Sequence, residues 1–394
     1  MKTHHRIFYA DSSRLDHVES ESVDLVVTSP PYPMIQMWDE SFSLQDKKIR
    51  KSLDRGDGAS AFEQMHRRLD RVWDEAHRVL KTGGIAAINI GDATRTINSH
   101  FALYPNHSRI QSYMQAIGFS ALPLILWRKQ TNAPNKFMGS GMMPPGAYVT
   151  LEHEYILILR KGNKRVFTSA GEKQNRRESA YFWEERNIWF SDIWTDLKGV
   201  PQNLFDPKVR NRSAAFPFEL PYRLICMFSV KGDTILDPFL GIGTSMCAAM
   251  ASARHSIGYE IDPNFKDAIA SGIDGMIEYA NDRVRLRLRS HCDFAKTYFK
   301  RKGEHRHVNK PYGFPVVTKQ ETDLFLNPLK HLQKKGRNSF EAAYSATPQE
   351  EFVCRWADYN ACESEKSVLL GKKNSNQVKR AQKASSQVQQ TLFD

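Results

Sequence analysis

Two short segments of the chain carry side chains whose types and spacing could do chemistry. In residues 234–244, TILDPFLGIGT, a buried strand runs into a loop where two glycines let the backbone approach a ligand, and a helix follows. The next predicted strand, residues 255–259, ends in Glu260, whose carboxylate can accept hydrogen bonds from both hydroxyl groups of a ribose. The pattern predicts a nucleotide-shaped niche, although a lone G-x-G often marks only a tight turn. Met246 stands where the dinucleotide fingerprint requires its third glycine, which disfavours NAD.

The second segment is TSPPY, residues 28–32, directly after an apolar run. Two consecutive prolines lack backbone N–H donors and have a fixed φ, so they form a stiff turn that points carbonyl oxygens at a substrate from the carboxyl end of a strand. Ser29 adds a hydroxyl group, and Tyr32 adds a flat aromatic face. The alternative is a proline turn that merely ends a strand.

Strands and helices alternate around these segments. The apolar spacing predicts strands at residues 6–10, 23–28, 85–90, 121–128 and 155–159, and helices at residues 61–80 and 109–117. We expect Gly83 and Gly84 to cap the first helix, and Gly118 to end the second. Alternating strands and helices predict an α/β fold with a mostly parallel sheet that is covered on both faces.

The charge of the chain favours a polyanionic partner. The 394 residues have a net charge of +12, and nucleic acid is the commonest partner of that kind. Residues 283–337 hold fifteen Lys and Arg against four Asp and Glu. We predict that this stretch follows a phosphate backbone; the alternative is a solvated surface. At its start, Arg283, Arg285, Arg287 and Arg289 alternate with apolar residues, which predicts either a strand with one cationic face or part of a helix.

Residues 161–212 are polar and basic but rich in aromatic side chains without a clear period, which predicts an insertion that could form a small aromatic core of its own. Residues 371–394 are too poor in apolar residues to fold alone. The five cysteines form no close pair, and the sequence shows neither a membrane span nor a signal peptide. We therefore expect a cytoplasmic protein with reduced thiols and no metal site.

Three segments together carry a resemblance to a known family. TSPPY, RSAAFPFELPYRLICMFS and DPFLGIGT resemble the DNA amino-methyltransferases of restriction-modification systems, in the beta arrangement where the catalytic motif comes first. The resemblance implies a Rossmann-like, seven-stranded mixed sheet in circularly permuted order, with S-adenosylmethionine as the cofactor. It divides the chain into a catalytic half (1–160), a target-recognition insertion (161–212), a cofactor half (213–282), a basic C-terminal extension (283–370) and a disordered tail (371–394). Motif order implies that the insertion lies on the rim of the ligand-binding edge.

The resemblance also implies roles for individual residues. The catalytic turn would be Ser29, Pro30, Pro31 and Tyr32. The cofactor pocket would include Asp11, Phe216, Pro217, Asp237, Pro238, Phe239, Gly241, Gly243, Thr244 and Glu260. Glu260 would hold the ribose, while Phe216 and Pro217, together with Leu220, would pack near the methionine end. Asp11 would meet the adenine amino group of the cofactor, unless it is a helix N-cap.

In such an enzyme the turn binds the base that receives the methyl group. Ser29 and the Pro30 carbonyl would hold the hydrogens of an exocyclic amino group, while Tyr32 stacks on a base flipped out of the duplex. Serine before the prolines is typical of cytosine 4-amino methylation, and aspartate of adenine 6-amino methylation. No cysteine lies in the motif, so we expect direct transfer. Methylation of adenine, of RNA or of a protein amide, and a catalytically idle DNA-binding module, are the alternatives.

Duplex DNA is the expected partner, and a cognate restriction endonuclease is the expected genetic partner of a monomer or dimer. Residues 34–60 should form a loop that either closes over the DNA as a lid or is only solvated. In the tail, Gln389, Leu392 and Phe393 resemble the short peptides with which bacterial proteins bind the replication sliding clamp. The alternatives for this tail are docking on the body of the protein and plain disorder.

Overall fold

The computed structural model describes residues 1–129, 138–197, 216–303 and 305–353. Its strands are β1 (Lys2–Phe8), β2 (Val23–Thr28), β3 (Leu80–Ile90), β4 (Ala93–Ile97), β5 (His100–Tyr104), β6 (Phe119–Arg128), β7 (Met138–Gly139), β8 (Ala147–Tyr148), β9 (His153–Lys161), β10 (Ile193–Trp194), β11 (Thr234–Asp237), β12 (His255–Tyr259), β13 (His307–Val308), β14 (Pro315–Val316), β15 (Leu329–Gly336) and β16 (Ser339–Tyr344). Its α-helices are α1 (Asp39–Gln45), α2 (Lys47–Asp54), α3 (Gly58–Val79), α4 (Asn106–Ala116), α5 (Ala170–Glu178), α6 (Trp183–Trp189), α7 (Glu219–Phe228), α8 (Thr244–Ala251), α9 (Lys266–Ile273) and α10 (Met276–Lys302). Within these ranges, no helix is both long and apolar enough to cross a bilayer.

Ten of the described strands form one mixed sheet, in the order β10-β6-β9-β3-β2-β11-β12-β1-β16-β15. The five central strands β3, β2, β11, β12 and β1 are parallel, and with β9 and β6 they make the predicted seven-stranded mixed sheet. β10 extends the sheet at one end, and the β15–β16 hairpin of the C-terminal extension extends it at the other. The carboxyl ends of the five parallel strands therefore meet along one side of the sheet, which we call the carboxyl edge.

Helices cover both faces of the sheet, which explains why the central strands are apolar throughout. All six residues of β2 are buried, and its apolar side chains are divided between two cores. Leu25 and Val27 face the core that includes α7 and α8, whereas Val23 and Val26 face the core that includes α3 and α4. Because β2 is held on both faces, the turn that follows it starts from a rigid position.

The predicted elements are confirmed, but the junction after α3 is different. The helix ends at Val79, and Leu80 begins β3 at once. Gly83 and Gly84 therefore lie inside β3, so the prediction that they cap the helix is wrong. Gly83 has φ +88°, and a Cβ there would lie 2.7 Å from the backbone nitrogen of Arg165. The glycine allows this close approach of two distant segments, which local sequence patterns do not encode.

The described part of the insertion, residues 161–197, does not form an aromatic core of its own. Two of its tryptophans are buried in the core of the central sheet, and Phe182 packs with the C-terminal extension. Its first half also does not lie along the ligand-binding edge. Arg165 forms an ion pair with Asp233 at 2.7 Å, just before β11 begins, because β9 runs antiparallel to β3 and delivers the chain to the opposite edge.

The four alternating arginines at the start of the basic stretch lie in the helix α10. Arg283 pairs with Glu219 at 2.7 Å, and Arg287 pairs with Glu185 at 2.6 Å. The guanidinium groups of both arginines therefore form ion pairs with carboxylates of the same protein. Arg289 is exposed. A strand with one cationic face is therefore wrong, because arginines two residues apart lie on different sides of a helix.

Residues 34–60, which we expected to form a loop, are largely helical. They form a 3-10 turn at Gln36–Trp38 and the helices α1 and α2. Arg95 of β4 holds the carboxylate of Asp39 in α1 with two hydrogen bonds, at 2.8 and 2.7 Å, and Phe42 is buried. The expected disordered tail and its clamp-like pattern, together with residues 198–212 of the insertion, lie outside the described residues.

Candidate active site

The carboxyl edge brings the two sequence motifs together. TSPPY follows β2 and the glycine loop follows β11, which pairs with β2. The hydroxyl group of Thr28 donates to the carboxylate of Asp237 at 2.5 Å, which joins the two loops directly. A cavity of 390 Å³ opens between them. Of the predicted site residues, those that line it are Asp11, Ser29, Pro30, Pro31, Phe216, Asp237, Pro238, Phe239, Gly241, Thr244 and Glu260.

Three predicted site residues, Tyr32, Pro217 and Gly243, do not line this cavity. Pro217 is buried just before α7, and its carbonyl accepts the N–H of Leu220 at 3.0 Å. Gly243 precedes α8 with φ +85°, a left-handed conformation that favours glycine. These two residues therefore start the helices that flank the cavity, and Tyr32 belongs to a separate network.

Asp237 holds the glycine loop in shape. Its buried carboxylate accepts hydrogen bonds from the hydroxyl groups of Thr28 and Ser245 and from the N–H of Phe239. Burial raises the pKa of this carboxyl group, and the three hydrogen bonds oppose that rise. Because its oxygens are bonded within the protein, Asp237 determines the form of the cavity wall.

Glu260 presents a carboxylate at the cavity. Its two oxygens accept the N–H groups of Gly241 at 2.8 Å and Asp262 at 2.9 Å. Burial raises the pKa of Glu260 to about 7. Gly241 has φ +53°, and a Cβ there would meet no atom within 4 Å, so the loop leaves open space beside the carboxylate. A carboxylate with spare lone pairs beside open space suits the paired hydroxyl groups of a ribose.

Asp11 lies in the cavity wall after β1. Its carboxylate accepts the N–H of Ser13 at 2.8 Å and lies 3.4 Å from the guanidinium of Arg68. Residues 11–22 form turns, so the alternative that Asp11 caps a helix is wrong. The carboxylate is partly exposed, which leaves it accessible to a ligand in the cavity.

The catalytic turn is joined to residues that sequence reasoning missed. The hydroxyl of Tyr32 lies 3.1 Å from Ser29 Oγ and donates to Glu154 Oε2 at 2.9 Å. Asn89, at the end of β3, donates to both Tyr32 and Glu154, and Lys129 donates to Glu154 Oε1 at 2.8 Å. Only the position of Asn89 at the carboxyl end of a predicted strand could have indicated a role from sequence.

A second group of residues, Asn106, Gly91 and His66, supports the catalytic turn on the side of α3, α4 and the end of β3. Asn106 donates to the carbonyl oxygens of Pro33 at 3.1 Å and Gly91 at 2.9 Å. Gly91 lies against the ring of Tyr32, and a Cβ there would be 2.9 Å from Tyr32 Cε2. The buried His66 lies 3.0 Å from the oxygen of Asn106, and burial lowers its pKa to about 4, so it is neutral.

Comparison with known proteins identifies the family to which this chain belongs. Residues 23–271 match the model of the DNA methylase family. The chain belongs to this family. It is 50% identical over 353 residues to the Type II methyltransferase M.MthZI of Methanothermobacter thermautotrophicus, across 89% of this chain and 98% of that protein. It is 49% identical over 299 residues to M.MjaI of Methanocaldococcus jannaschii, across 71% of this chain and 97% of that protein.

A solved structure shares the fold. TTHA0409 from Thermus thermophilus, complexed with S-adenosyl-L-methionine, superposes with a TM-score of 0.54 at 29% identity, over 69% of this chain and 94% of that one. The protein is thus a DNA amino-methyltransferase of the restriction-modification type, and S-adenosylmethionine is its cofactor. The cavity fits this group, because it combines the Glu260 carboxylate and the open space at Gly241 with apolar walls from Phe216 and Phe239.

Proposed function

We propose that this DNA methylase modifies the 4-amino group of cytosine at a specific sequence in duplex DNA and so protects that DNA from a cognate restriction enzyme. The observation that carries the proposal is that Ser29, in a Ser-Pro-Pro-Tyr turn, lines the same cavity as Glu260 and the glycine loop. Serine before the prolines is typical of the cytosine-specific enzymes that the chain resembles. The family covers both kinds of amino group, so methylation of adenine N6 is the second candidate.

The cofactor supplies an activated methyl group on its sulfonium. We infer that Glu260 accepts hydrogen bonds from the ribose hydroxyls and that Asp11 accepts one from the adenine amino group. Gly241 leaves room for the nucleoside, and Phe216 packs near the methionine end. The network around Asp237 keeps these groups in position before the cofactor binds.

The target base meets the other wall of the cavity. Ser29 Oγ and the carbonyl of Pro30 accept hydrogens of the exocyclic amino group and so turn its nitrogen toward the methyl group. Tyr32 offers its ring to the flipped base. The cysteines of the described residues, Cys226, Cys247 and Cys292, are buried and do not line the cavity, which supports direct transfer without a covalent enzyme intermediate.

Methyl transfer to nucleosides tests the proposal. The purified protein is incubated with tritiated S-adenosylmethionine and, in separate reactions, with unmethylated plasmid DNA, with RNA and with protein. We expect label in DNA alone, and mass spectrometry of the digested DNA should show N4-methylcytosine. N6-methyladenine would establish the second candidate, and label only in RNA or protein would refute DNA methylation. Ser29→Ala is the matched control, because it should bind the cofactor normally but transfer little label.

For target recognition we propose residues 161–212. β10 runs parallel to β6 and to the central strands, so the chain beyond Trp194 leads back toward the carboxyl edge. Exchange of residues 161–212 for the corresponding segment of a relative with a different site should change the methylated sequence while cofactor binding is kept. Single-molecule sequencing of DNA from expressing cells measures this, and an unchanged methylation pattern would exclude the assignment.

The oligomeric state and the cognate endonuclease stay predictions.

A further inference from the structure

The hydroxyl group of Ser29 belongs to a hydrogen-bond network that leaves the cavity. Ser29 Oγ lies 3.1 Å from the hydroxyl of Tyr32, which donates to Glu154 Oε2 at 2.9 Å. The amide of Asn89 donates to the Tyr32 oxygen at 2.9 Å and to Glu154 Oε2 at 2.7 Å. Ser29 lines the cavity and Glu154 does not. The contacts therefore lead from the substrate side of the turn to a carboxylate on β9.

The chemistry of the partners determines the direction of each bond. An ionised carboxylate only accepts hydrogen bonds, and an amide nitrogen only donates them. Tyr32 must therefore give its single hydrogen to Glu154, while its oxygen accepts from Asn89. The bond between Ser29 and Tyr32 is then donated by Ser29. As a result, the hydrogen of Ser29 points away from the cavity, and its lone pairs are left for the amino group of a bound base.

The position of Glu154 suits a group that receives a proton. Lys129 contacts its other oxygen at 2.8 Å, and the Glu154 side chain is 13% exposed, which leaves a path for the proton to reach solvent. The other titratable groups beside it are Tyr32 and, on its own strand, His153 and Tyr155. Beyond Tyr155 lies the ion pair of Asp92 with His107, at 2.8 Å.

Tyr32 itself is suited to relay a proton and not to lose one. Burial and the neighbouring charge of Glu154 raise the pKa of Tyr32 well above its usual value. The phenol therefore keeps one hydrogen at all times, and it can donate to Glu154 only as it receives another from Ser29.

We propose that Ser29, Tyr32 and Glu154 form a proton relay that takes up the hydrogen lost by the target amino group. This inference rests on the proposed methylation of an exocyclic amine. Ser29 is the catalytic residue, since it contacts the substrate, and Glu154 acts through Tyr32. The same network also turns the Ser29 lone pairs toward the base, so that it orients the amino group before it accepts the proton.

The relay balances atoms and charge. A bond forms between the amino nitrogen and the methyl carbon, and the bond from that carbon to sulfur breaks with its electron pair left on sulfur. One proton passes from the nitrogen to Ser29 Oγ, the serine proton passes to the Tyr32 oxygen, and the tyrosine proton passes to Glu154. A sulfonium and a carboxylate are consumed, and a thioether and a carboxylic acid are formed, so the net charge is unchanged.

Two conservative variants test the relay under single-turnover conditions, with enzyme in excess over unmethylated plasmid DNA. Tyr32→Phe keeps the aromatic face but removes the hydroxyl, and we expect methyl transfer about 100-fold slower than in the wild type. Glu154→Gln keeps the size and one accepting oxygen, and we expect a similar loss. Tyr113→Phe removes a hydroxyl that binds Asp74 and should have no effect.

Readouts other than rate separate the relay from a structural role. Calorimetry should show unchanged cofactor binding in both variants, and thermal unfolding should show that both are folded. Infrared difference spectra of one turnover should show a protonated carboxyl band in the wild type that is missing from Glu154→Gln.

The outcomes are distinct. If folded Tyr32→Phe transfers methyl groups within about twofold of the wild-type rate, the relay is wrong. If folded Glu154→Gln transfers methyl groups within about twofold of the wild-type rate, or if the carboxyl band persists in it, Glu154 does not receive the proton. Failure of the wild-type protein to methylate any DNA would instead refute the proposed function.

Discussion

Cofactor binding should depend on pH through the carboxyl group of Glu260. Burial raises the pKa of this group to about 7, although the N–H groups of Asp262 and Gly241 oppose the rise. Ribose hydroxyls donate hydrogen bonds most strongly to an ionised carboxylate. We therefore expect S-adenosylmethionine to bind the ionised form, so that the dissociation constant rises as the pH falls below 7.

The size of the effect follows from the ionised fraction. With a pKa of about 7, roughly nine-tenths of Glu260 is ionised at pH 8 and roughly one-tenth at pH 6. Binding should therefore be about tenfold weaker at pH 6 than at pH 8, a difference of about 1.4 kcal/mol. Isothermal titration calorimetry of the ligand-free protein at the two pH values measures this ratio directly.

Glu260→Gln is the matched control, because it keeps the shape of the side chain but does not titrate. Its affinity should be lower and nearly independent of pH, apart from titration of the ligand itself, which is common to both proteins. A raised pKa also means that Glu260 contributes stability that is complete below about pH 4.5 and is lost as the pH rises through 7. Ligand-free Glu260→Gln should therefore have a higher Tm than the wild type at pH 8. A wild-type dissociation constant that changes less than about twofold between pH 6 and pH 8 would refute the reasoning.

Three further substitutions have expected outcomes. Gly91→Ala would place its Cβ 2.9 Å from the Tyr32 ring, so methyl transfer should fall at least about tenfold while calorimetry shows normal cofactor binding; normal turnover would contradict this. Gly241→Val forces a β-branched residue into φ +53° at the cavity and should abolish saturable cofactor binding, with circular dichroism unchanged. Arg287→Ala leaves the largely buried carboxylate of Glu185 without its cationic partner and should lower the urea-derived free energy of unfolding by about 3–5 kcal/mol, whereas exposed Arg289→Ala should change it by less than about 0.5 kcal/mol.

The two motifs and the strands that carry them could be predicted from sequence, because the signals involved are local. Apolar runs at β2 and β11, followed by prolines or glycines, indicate a strand that ends in a turn or a ligand-binding loop. The types of Ser29 and Glu260 then indicate what each loop can bind. The seven-stranded sheet could also be predicted, because the resemblance to a known family implies the strand order of that family.

Contacts between distant segments were not predictable in the same way. Glu154 lies 122 positions from Tyr32 in sequence, and it reaches the turn only because β9 pairs with β3 in the register that sets Tyr155 opposite Ile90. A shift of one residue would turn Glu154 to the other face of the sheet. No local pattern specifies that register.

The sequence by itself therefore determined the family, the cofactor loop and the serine-proline turn, because each is encoded by residues that are adjacent in the chain. Tertiary structure alone decided which charged side chains form ion pairs within the protein and which polar groups form hydrogen bonds with each other. Arg283 and Arg287 count toward a basic surface in composition, yet both are paired with carboxylates from other elements. In the same way, Asn89, Lys129 and Glu154 become partners of the catalytic turn only when β3, β6 and β9 pack side by side. The physical reason is that hydrogen bonds and ion pairs act over a few ångströms, and only the folded chain sets those distances.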